Sequence, residues 1–279
     1  MSQRTCPVCN STTVVSHQVG RVAMERCTTC TAVLTPVKIV EAHDESYYAS
    51  QYSLTATVRA STEYHRHFRF PEYIKLIADV QKIAPAPRRW LDVGCDHGFF
   101  LDEVRRYGYT AAGVEVAQQP RRYAQEIGLN VFERLDDVTD TYDIVSLWHV
   151  LEHIPTPLEF LTKIHDRMSP DGVLRIRVPD AGSLPSRLLG SSWIWFQPHH
   201  HVVHYTTSVL HRVVTAAGFD IVRLRTQRPN TLLTRRSYRL ARSVFRKEME
   251  MPTRPIYDYL ARTWQDLTGV ELDCVARRR

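Results

Sequence analysis

The sequence predicts an α/β protein built on a doubly wound parallel sheet, with a small cysteine-rich module in front of it. Residues 89–101 place an apolar run before a glycine-containing turn and an amphipathic segment, and apolar runs then alternate with amphipathic segments as far as residue 227. Such alternation is typical of βα units in a parallel sheet. Two C-x-x-C pairs within the first 30 residues predict a separate metal-binding module.

The bulk composition is that of a globular protein, with 279 residues of which 43% are hydrophobic and 24% charged. A chain of this length can bury one substantial core and a small appendage. No apolar run reaches 18 residues, so no membrane-spanning helix is expected. The N-terminus lacks the apolar stretch of a secretion signal, and we therefore expect a cytoplasmic protein whose six cysteines are thiols or metal thiolates.

Residues 1–40 are predicted to form a zinc ribbon. Cys6, Cys9, Cys27 and Cys30 have the spacing C-x2-C-x17-C-x2-C, in which each pair suits a tight turn that directs two thiolates at one ion. Four sulfur ligands fill a tetrahedral shell, so the zinc would be structural, and it would stabilise a segment too short to bury a useful core. One alternative is four free buried thiols. A redox pair is disfavoured because neither C-x-x-C opens a helix after a strand.

Residues 41–87 are predicted to be a linker followed by a helix that packs on the sheet domain, which occupies residues 88–279. Residues 43–60 are polar and tyrosine-rich without periodicity. Residues 63–83 have the apolar stripe of a helix, and Pro85 and Pro87 end it. The stripe consists of Tyr73, Leu76, Ile77, Val80 and Ile83.

Residues 89–101, RWLDVGCDHGFFL, are predicted to form a strand, a glycine loop and the start of a helix. This arrangement directs backbone N–H groups at a ligand, although a lone glycine loop is a weak signal. The next predicted strand, residues 110–116, carries Glu115 about 20 residues past the loop, where a carboxylate can accept hydrogen bonds from both hydroxyls of a ribose. Together the two units predict a nucleotide-like cofactor.

Over roughly residues 88–227 these motifs resemble the class I S-adenosylmethionine-dependent methyltransferases. LDVGCDHGFFL is similar to their glycine-rich first motif, and GVEV to the acidic end of their second strand. IVSLWHVLEHIPTPLEFL resembles the segment after the fourth strand, and PDGVLRIRVPD the fifth strand. HHVVHYTTSVLHRVVTAAGF is similar to the stretch that follows in one subfamily, several of whose members carry an N-terminal zinc ribbon and modify sugars or other small metabolites.

The resemblance implies a Rossmann-like methyltransferase sheet and S-adenosylmethionine as the cofactor. Asp92 would anchor the methionine ammonium through the loop, Glu115 would hold the ribose, and the sulfonium would lie near Trp148 and His149. The full set of predicted cofactor contacts is Asp92, Gly94, Cys95, Asp96, Gly98, Glu115, Val116, Asp136, Trp148 and His149.

Two positions depart from the family's pattern. Asp96 stands where the family usually has the middle glycine of the loop, and Asp tolerates the left-handed backbone that such a loop needs. Leu135 stands at the usually acidic end of the third strand, with Asp136 and Asp137 directly after it. Which of these two residues, if either, contacts the adenine amine stays open.

Transfer of a methyl group from a sulfonium to a hydroxyl requires in-line alignment and the removal of one proton. Histidine is the side chain that titrates nearest neutral pH, and the candidate bases are His201, His153 and His149, with His201 first. Glu152 lies between the last two in sequence and could orient an imidazole. The alternative for His153 is a packing role in the loop before Pro155.

By the same resemblance, the connection 181–207 covers the acceptor. The predicted acceptor contacts are Trp193, Trp195, Phe196, His200, His204 and Tyr205. Aromatic faces there suit sugars or planar rings. His199 is expected to be a bystander. A metal held by His200 and His204 at helical spacing is disfavoured, because Pro198 and two valines oppose a helix.

The net charge of +6 is concentrated near the C-terminus, where residues 223–254 contain ten Lys and Arg residues against two Glu. Residues 231–251 predict a helix with Arg235, Arg239, Arg242 and Arg246 along one side. This side is a solvated face, a contact for a phosphate-bearing or lipid-linked acceptor, or a peripheral contact with anionic lipid. The helix belongs to a helical insertion at about 230–266, after which residues 269–276 should pair with the strand at 219–225.

The first functional hypothesis is therefore methyl transfer to a hydroxyl of a sugar, glycolipid or related natural product. An RNA methyltransferase that holds RNA with the ribbon and the basic helix is the alternative. It is disfavoured because the ribbon has few basic residues and few aromatic ones for stacking bases. A module that binds the cofactor without turnover is a third hypothesis, and a hydride-transfer dehydrogenase is disfavoured because nothing resembles a catalytic Tyr-Lys pair. The sequence does not predict the oligomeric state.

Overall fold

The structure, a computed structural model, describes residues 5–11, 14–36, 39, 70–85, 88–227 and 270–279. In chain order the strands are β1 Val14–Val19, β2 Val22–Cys27, β3 Val33–Leu34, β4 Arg89–Val93, β5 Thr110–Val114, β6 Asn130–Phe132, β7 Tyr142–Trp148, β8 Met168–Pro179, β9 Val203–His204, β10 Phe219–Gln227 and β11 Glu271–Arg278. The helices are α1 Phe70–Gln81, α2 Phe99–Arg106, α3 Gln118–Glu126, α4 Pro157–Asp166, α5 Leu184–Leu189 and α6 Thr207–Ala216.

The larger sheet has seven strands in the order β10-β11-β8-β7-β4-β5-β6. The pairs β8–β7, β7–β4, β4–β5 and β5–β6 are parallel, whereas β11 is antiparallel to both β8 and β10. Alternate residues of the central strands enter two different cores. Leu91 and Val145 pack with α4 and α6, whereas Trp90 and Ile144 pack with α1 and α2. Helices thus cover both faces, and the predicted doubly wound Rossmann-like sheet is confirmed as a mixed sheet.

Helix α1 lies within the helix predicted at residues 63–83. Leu76, Ile77 and Val80 are buried, and Tyr73 packs edge-on against Phe100 of α2 with ring centroids 5.2 Å apart. The predicted apolar stripe therefore faces the sheet domain, as expected for a helix that covers one of its faces.

The last strand pairs with β10 as the sequence predicted. The register runs from Phe219 opposite Arg278 to Gln227 opposite Glu271. On β11, the fully buried Asp273 accepts a hydrogen bond from Arg175 of β8 at 3.1 Å, so the sheet edge is joined by a buried ion pair. This pairing brings Glu271 beside the end of β8, at the edge of the sheet where the candidate site lies.

The second sheet contains a strand that the sequence did not predict. Its order is β1-β2-β3-β9, and the first three strands belong to the cysteine module. Strand β9 comes from the histidine-rich connection 181–207, and it pairs antiparallel with β3. The predicted acceptor loop is thereby attached to the ribbon.

Several predicted segments lie outside the described residues. They are the linker at 43–60, the first turns of the helix at 63–83, and the whole insertion at 230–266 with its basic helix at 231–251. Within the described ranges, no helix has the length and hydropathy needed to cross a bilayer.

Candidate active site

The glycine loop between β4 and α2 adopts a left-handed backbone at three positions. Gly94, Asp96 and Gly98 have φ values of 76°, 50° and 76°. A Cβ on Gly94 would lie 2.4 Å from Cγ2 of Val150, and a Cβ on Gly98 would lie 2.4 Å from Cδ1 of Leu129. Both positions therefore require glycine, whereas position 96 accommodates the Asp that replaces the family's middle glycine.

Asp92 places a buried carboxylate, 2% exposed, beneath this loop. Its Oδ1 accepts a hydrogen bond from Oγ of Ser146 at 2.5 Å, and that Oγ accepts one from the indole N–H of Trp90 at 2.8 Å. Burial raises the pKa of Asp92 to about 7, although the Ser146 bond acts in the opposite direction. The role of Ser146 was not predicted, because its only signal in the sequence is a hydroxyl in the middle of an apolar strand.

Glu115 follows β5 and closes the loop from the other side. Its Oε2 accepts the backbone N–H of Asp96 at 2.9 Å, and its Oε1 accepts that of Ala117 at 2.8 Å. Burial raises the pKa of Glu115 to about 7, while these N–H groups lower it. The adjacent Val116 is exposed. The carboxylate predicted to hold a ribose thus lies against the loop predicted to hold the rest of the cofactor.

The other predicted loop contacts are placed differently. Cys95 buries its thiol against Gly113, where an added Cβ would lie 2.5 Å from the sulfur, so its contact with a ligand would come from the main chain. Leu135 is buried, and Asp136 is two-thirds exposed with its carboxylate 3.2 Å from Nζ of Lys163. Asp137 instead accepts the backbone N–H of Arg134.

Trp148 and His149 stand at the carboxyl end of β7, where open α/β sheets bind ligands. The Trp148 ring lies 5.0 Å from Cζ of Arg177 and packs edge-on against Phe100. His149 has a left-handed backbone with φ of 54°. Its ring stacks on Trp195 with centroids 5.0 Å apart.

His149 is held between two buried carboxylates. Its Nδ1 lies 3.2 Å from Oε1 of Glu152, and its Nε2 lies 3.1 Å from Oε1 of Glu271. Burial alone would lower the pKa of His149, but the two carboxylates raise it to about 9. The ring is therefore an imidazolium at neutral pH, in which both nitrogens donate.

A charged network extends from His149 to α1. Nε of Arg177 lies 3.4 Å from Oε2 of Glu271, and the Arg177 guanidinium also forms an ion pair with Glu72. The backbone N–H of His149 donates to the carbonyl of Arg177 at 2.9 Å. The sequence analysis missed Glu271, Arg177 and Glu72, because residues so far apart in the chain give no spacing signal.

The histidine-rich segment is fixed from two sides. Val33 pairs with His204 and Leu34 with Val203 in the β3–β9 ladder, and the backbone N–H of Thr35 donates to the carbonyl of Val202 at 3.0 Å. On the opposite side, the N–H of Val202 donates to the carbonyl of Glu152 at 2.7 Å. The segment thus lies between the ribbon and the short 3-10 helix Leu151–His153.

His153 and His201 lie close to Glu152. Their rings are 4.9 Å apart, and ligand atoms of the three residues lie within 4.8 Å of one another. Nδ1 of His153 donates to the carbonyl of His200 at 2.9 Å, and Nδ1 of His201 to that of Trp195 at 3.0 Å. Burial lowers the pKa of His201 to about 4, although Glu152 opposes this effect. His201 is therefore neutral at pH 7.

Three buried polar atoms at this end of the sheet have no hydrogen-bond partner within the described part of the chain. They are Oε2 of Glu152 and the indole Nε1 atoms of Trp148 and Trp195. Leaving such a group unpaired costs roughly 1–3 kcal/mol each, so these atoms are candidate contacts for a polar ligand.

The remaining predicted acceptor contacts serve mainly the packing of the segment. Trp193 and Tyr205 are buried, and the Tyr205 hydroxyl donates to the carbonyl of Leu151 at 3.4 Å. His204 is buried in β9 and packs against Phe196 with ring centroids 5.1 Å apart. His200 is partly buried and His199 is exposed. The structure thus brings together His149, His153, His201 and Trp195. His204 and Tyr205 are instead buried in the packing of the segment.

The four N-terminal cysteines converge as the sequence predicted. Sγ of Cys6 lies 3.6 Å from that of Cys30, Sγ of Cys9 lies 3.6 Å from that of Cys27, and all four sulfurs lie within 4.8 Å of one another. Tetrahedral zinc with its usual bond length places sulfurs about 3.8 Å apart, so the cluster fits the ion. Burial tends to raise the pKa of Cys27, but the N–H groups of Cys30 and Thr29 lower it to about 7, whereas burial raises the pKa of Cys6 to about 11 and raises that of Cys30. A bound cation would favour the thiolate at all four positions.

A family model described as a methyltransferase domain, Methyltransf_23, matches residues 65–224. This chain belongs to the methyltransferase domain family. The match covers more than half of the chain and includes the glycine loop, the end of β7 and the histidine segment, but not the ribbon. It places the chain among the class I S-adenosylmethionine-dependent methyltransferases that the motifs resemble.

Two relatives of this methyltransferase are called ubiquinone biosynthesis O-methyltransferase. The one from Actinobacillus pleuropneumoniae is 29% identical over 31% of this chain and 44% of its own length, and the one from Cereibacter sphaeroides is 27% identical over 50% and 64%. This chain thus spans about half the length of these relatives. A putative sarcosine dimethylglycine methyltransferase from Galdieria sulphuraria has the same fold, with a TM-score of 0.52 and 15% identity over 75% of this chain and 85% of its own.

We expect the affinity of this methyltransferase for S-adenosylmethionine to fall as the pH drops through about 7. Burial raises the pKa of Asp92 to about 7, and a bound ammonium would favour the carboxylate, so binding below that pH must displace a proton. The dissociation constant measured by calorimetry should rise about tenfold per pH unit well below pH 7.

The control for this prediction is Asp92→Asn, which should bind more weakly at every pH and show a flatter profile. Glu115→Gln separates the contribution of the second carboxylate, whose pKa burial also raises to about 7. A wild-type affinity that stays constant from pH 5.5 to 8.5 would rule out Asp92 as the ammonium ligand.

The imidazolium of His149 gives a second prediction, which concerns stability. Its pKa is raised in the folded state, so its stabilising effect is full below about pH 6.5 and is lost as the pH rises through about 9. Glu271→Gln removes one of its two carboxylates and should make the urea midpoint fall less over this interval. Glu159→Gln, which alters an exposed carboxylate on α4, should behave as wild type. Equal pH slopes in all three proteins would contradict the assignment.

Proposed function

We propose that this protein transfers the methyl group of S-adenosylmethionine to a hydroxyl of a small-molecule acceptor, such as a sugar, glycolipid or related natural product. The observation that carries the proposal is the set of histidines at the carboxyl end of β7, beside the glycine loop, with buried polar atoms that have no hydrogen-bond partner among the described residues. The two relatives named as O-methyltransferases support an oxygen acceptor. A cytoplasmic location remains our prediction.

The cofactor supplies an electrophilic methyl group on sulfur, and the protein's own residues bind and orient it. Asp92 and Glu115 are the carboxylates for the ammonium and the ribose. Gly94 is exposed and leaves its backbone open to a ligand, whereas Gly98 lets the start of α2 pack closely against Leu129. Two carboxylates with raised pKa values on either side of one loop suit a ligand that carries a positive charge and hydroxyl groups.

For the base, the structure favours His153 over His201, which the sequence ranked first. His149 is an imidazolium whose two nitrogens both donate, so it has no lone pair for a proton. Burial holds the pKa of His201 at about 4, which makes it a weak proton acceptor. His153 is only partly buried, and its ring lies beside the Glu152 carboxylate. We assign proton removal to His153 and orientation of the acceptor hydroxyl to neutral His201.

The acceptor would lie against aromatic rings. Trp195 stacks on His149, and its indole N–H, which has no partner in the described part of the chain, can donate to an acceptor oxygen. Trp195 and Phe196 are both partly exposed, so each can offer a ring surface to a sugar or a planar acceptor. A phosphate-bearing or lipid-linked acceptor, with peripheral membrane contact, depends on the predicted basic helix outside the described residues.

A divalent cation is the alternative to a free base in this pocket. Two imidazoles and a carboxylate suit zinc, iron(II) or manganese(II), and Oε2 of Glu152 has no hydrogen-bond partner among the described residues. Such an ion would lower the pKa of the acceptor hydroxyl directly. Metal analysis decides between the two roles. One zinc per chain corresponds to the cysteines alone, whereas a second ion that is lost in Glu152→Gln identifies the cation.

An RNA acceptor is the alternative function. It would require the ribbon and the basic segment at 231–251 to contact phosphates, and binding would then weaken steeply with salt. A shallow salt dependence of acceptor binding supports the small molecule, and a steep log–log slope supports RNA.

His153→Ala should lower turnover by about 10²–10⁴-fold and change the affinity for S-adenosylmethionine less than twofold, because a general base contributes to the proton transfer and not to cofactor binding. Release of S-adenosylhomocysteine with a panel of phenolic and sugar hydroxyl acceptors measures the first, and calorimetry the second. His201→Ala should also lower turnover, and a larger loss there than in His153→Ala would reverse our assignment. His211→Ala, which changes an exposed histidine on α6, is the matched control.

A further inference from the structure

Thr35 joins the ribbon to the histidine segment through three hydrogen bonds. It is fully buried directly after β3. Its backbone N–H donates to the carbonyl of Val202 at 3.0 Å, and its Oγ1 donates to the carbonyl of His201 at 2.7 Å. The same Oγ1 lies 3.2 Å from Nε2 of His204. One ribbon residue thus contacts three residues of the segment.

The hydroxyl of Thr35 determines the tautomer of His204. A hydroxyl has a single proton, and here it goes to the carbonyl of His201, so Oγ1 accepts from Nε2–H of His204. Burial lowers the pKa of His204 to about 3, which keeps the ring neutral. A neutral ring with its proton on Nε2 matches the acceptor that Thr35 presents.

Among the described residues, the main chain of His201 itself bonds to the ribbon only through its carbonyl. Its N–H donates to the carbonyl of Gln197 at 2.7 Å, within the segment, and the N–H of Val202 donates to Glu152 at 2.7 Å, in the sheet domain. The carbonyl of His201 is the group that Thr35 holds. The separation of the His201 and His153 rings therefore depends on both attachments, one to the sheet domain and one to the ribbon.

We propose that Thr35 is a positioning residue through which the ribbon holds His201 in place against His153. The meaning of this contact for catalysis rests on the proposed function, but the contact itself does not. On the ribbon side, the cysteine cluster fixes the turn that leads into β3. The N–H of Cys27 donates to the carbonyl of Ala32, and the N–H of Thr31 donates to the carbonyl of Cys27. Thr35 is five residues after Cys30, so a zinc-bound ribbon fixes the strand that carries it.

The test replaces Thr35 in the full chain, with zinc and S-adenosylhomocysteine present. Thr35→Val keeps the volume of the side chain but removes the hydroxyl, so a buried carbonyl and a buried ring N–H lose their partner. Thr35→Ser keeps the hydroxyl. Thr162→Val is the matched control, because it removes an exposed hydroxyl that donates to the carbonyl of Leu158 on α4.

In Thr35→Val we expect hydrogen exchange of the amides at residues 199–204 to accelerate by about tenfold or more, within the roughly 5- to 150-fold expected for a lost buried partner. The Nε2–H proton of His204 should lose its protection in nitrogen-edited NMR spectra. Zinc content and the affinity for S-adenosylmethionine should match wild type. Thr35→Ser and Thr162→Val should both behave as wild type.

Unchanged exchange at residues 199–204 in Thr35→Val would overturn the proposal. If exchange also accelerates in β4 and β7, Thr35→Val has loosened the sheet domain as well, and Thr35→Ser is then the informative variant. Exchange at residues 199–204 that is as fast in Thr35→Ser as in Thr35→Val would also overturn the proposal. A different result would refute the proposed function. Full turnover in His153→Ala and His201→Ala would refute the catalytic assignment, even where Thr35→Val loosens the segment as expected.

Discussion

The two-residue ladder between β3 and β9 is the constraint on which the candidate site depends. It makes the ribbon and the histidine segment parts of one sheet, although Leu34 and its partner Val203 are 169 positions apart in the chain. A short ladder is weak by itself, and here the side chain of Thr35 and the bond from Val202 to Glu152 reinforce it. The histidines can therefore hold fixed positions without belonging to a long strand or a helix.

A second constraint is charge. His149, Arg177, Glu152, Glu271 and Glu72 are largely buried, and charges in such surroundings are tolerated only when they are paired. The pairing orients Glu152 by using its Oε1, which leaves Oε2 for a ligand. The paired residues come from separate parts of the fold, including α1, the end of β7, β8 and β11. The candidate site thus forms only after the sheet edge and the covering helix have assembled.

How far the sequence predicted this site depends on the range of each contact. The cysteine spacing, the glycine loop and Glu115 are local patterns, and the cysteine cluster and the fold that they predicted are confirmed. The resemblance to the family's glycine loop, with the tolerance of Asp for a left-handed backbone, predicted such a backbone at Asp96, and its φ of 50° agrees. Ser146, Glu271 and Thr35 were missed because their partners lie 54, 122 and 166 residues away. His204 was expected to face the acceptor, yet residues of a strand alternate, and the pairing with β3 turns it toward Thr35.

The family match and the ladder together explain why this chain carries a ribbon. The match at residues 65–224 contains β9 but not β3, so the family domain supplies one strand of the ladder and the ribbon supplies the other. Strand β9 has only two residues, and isolated strands of this length do not persist in water. An ion bound by the four clustered cysteines would provide the missing stability, because four thiolates on one ion would hold β2 and β3 in register without a large core. Metal binding in the ribbon would then contribute to the order of the histidine segment.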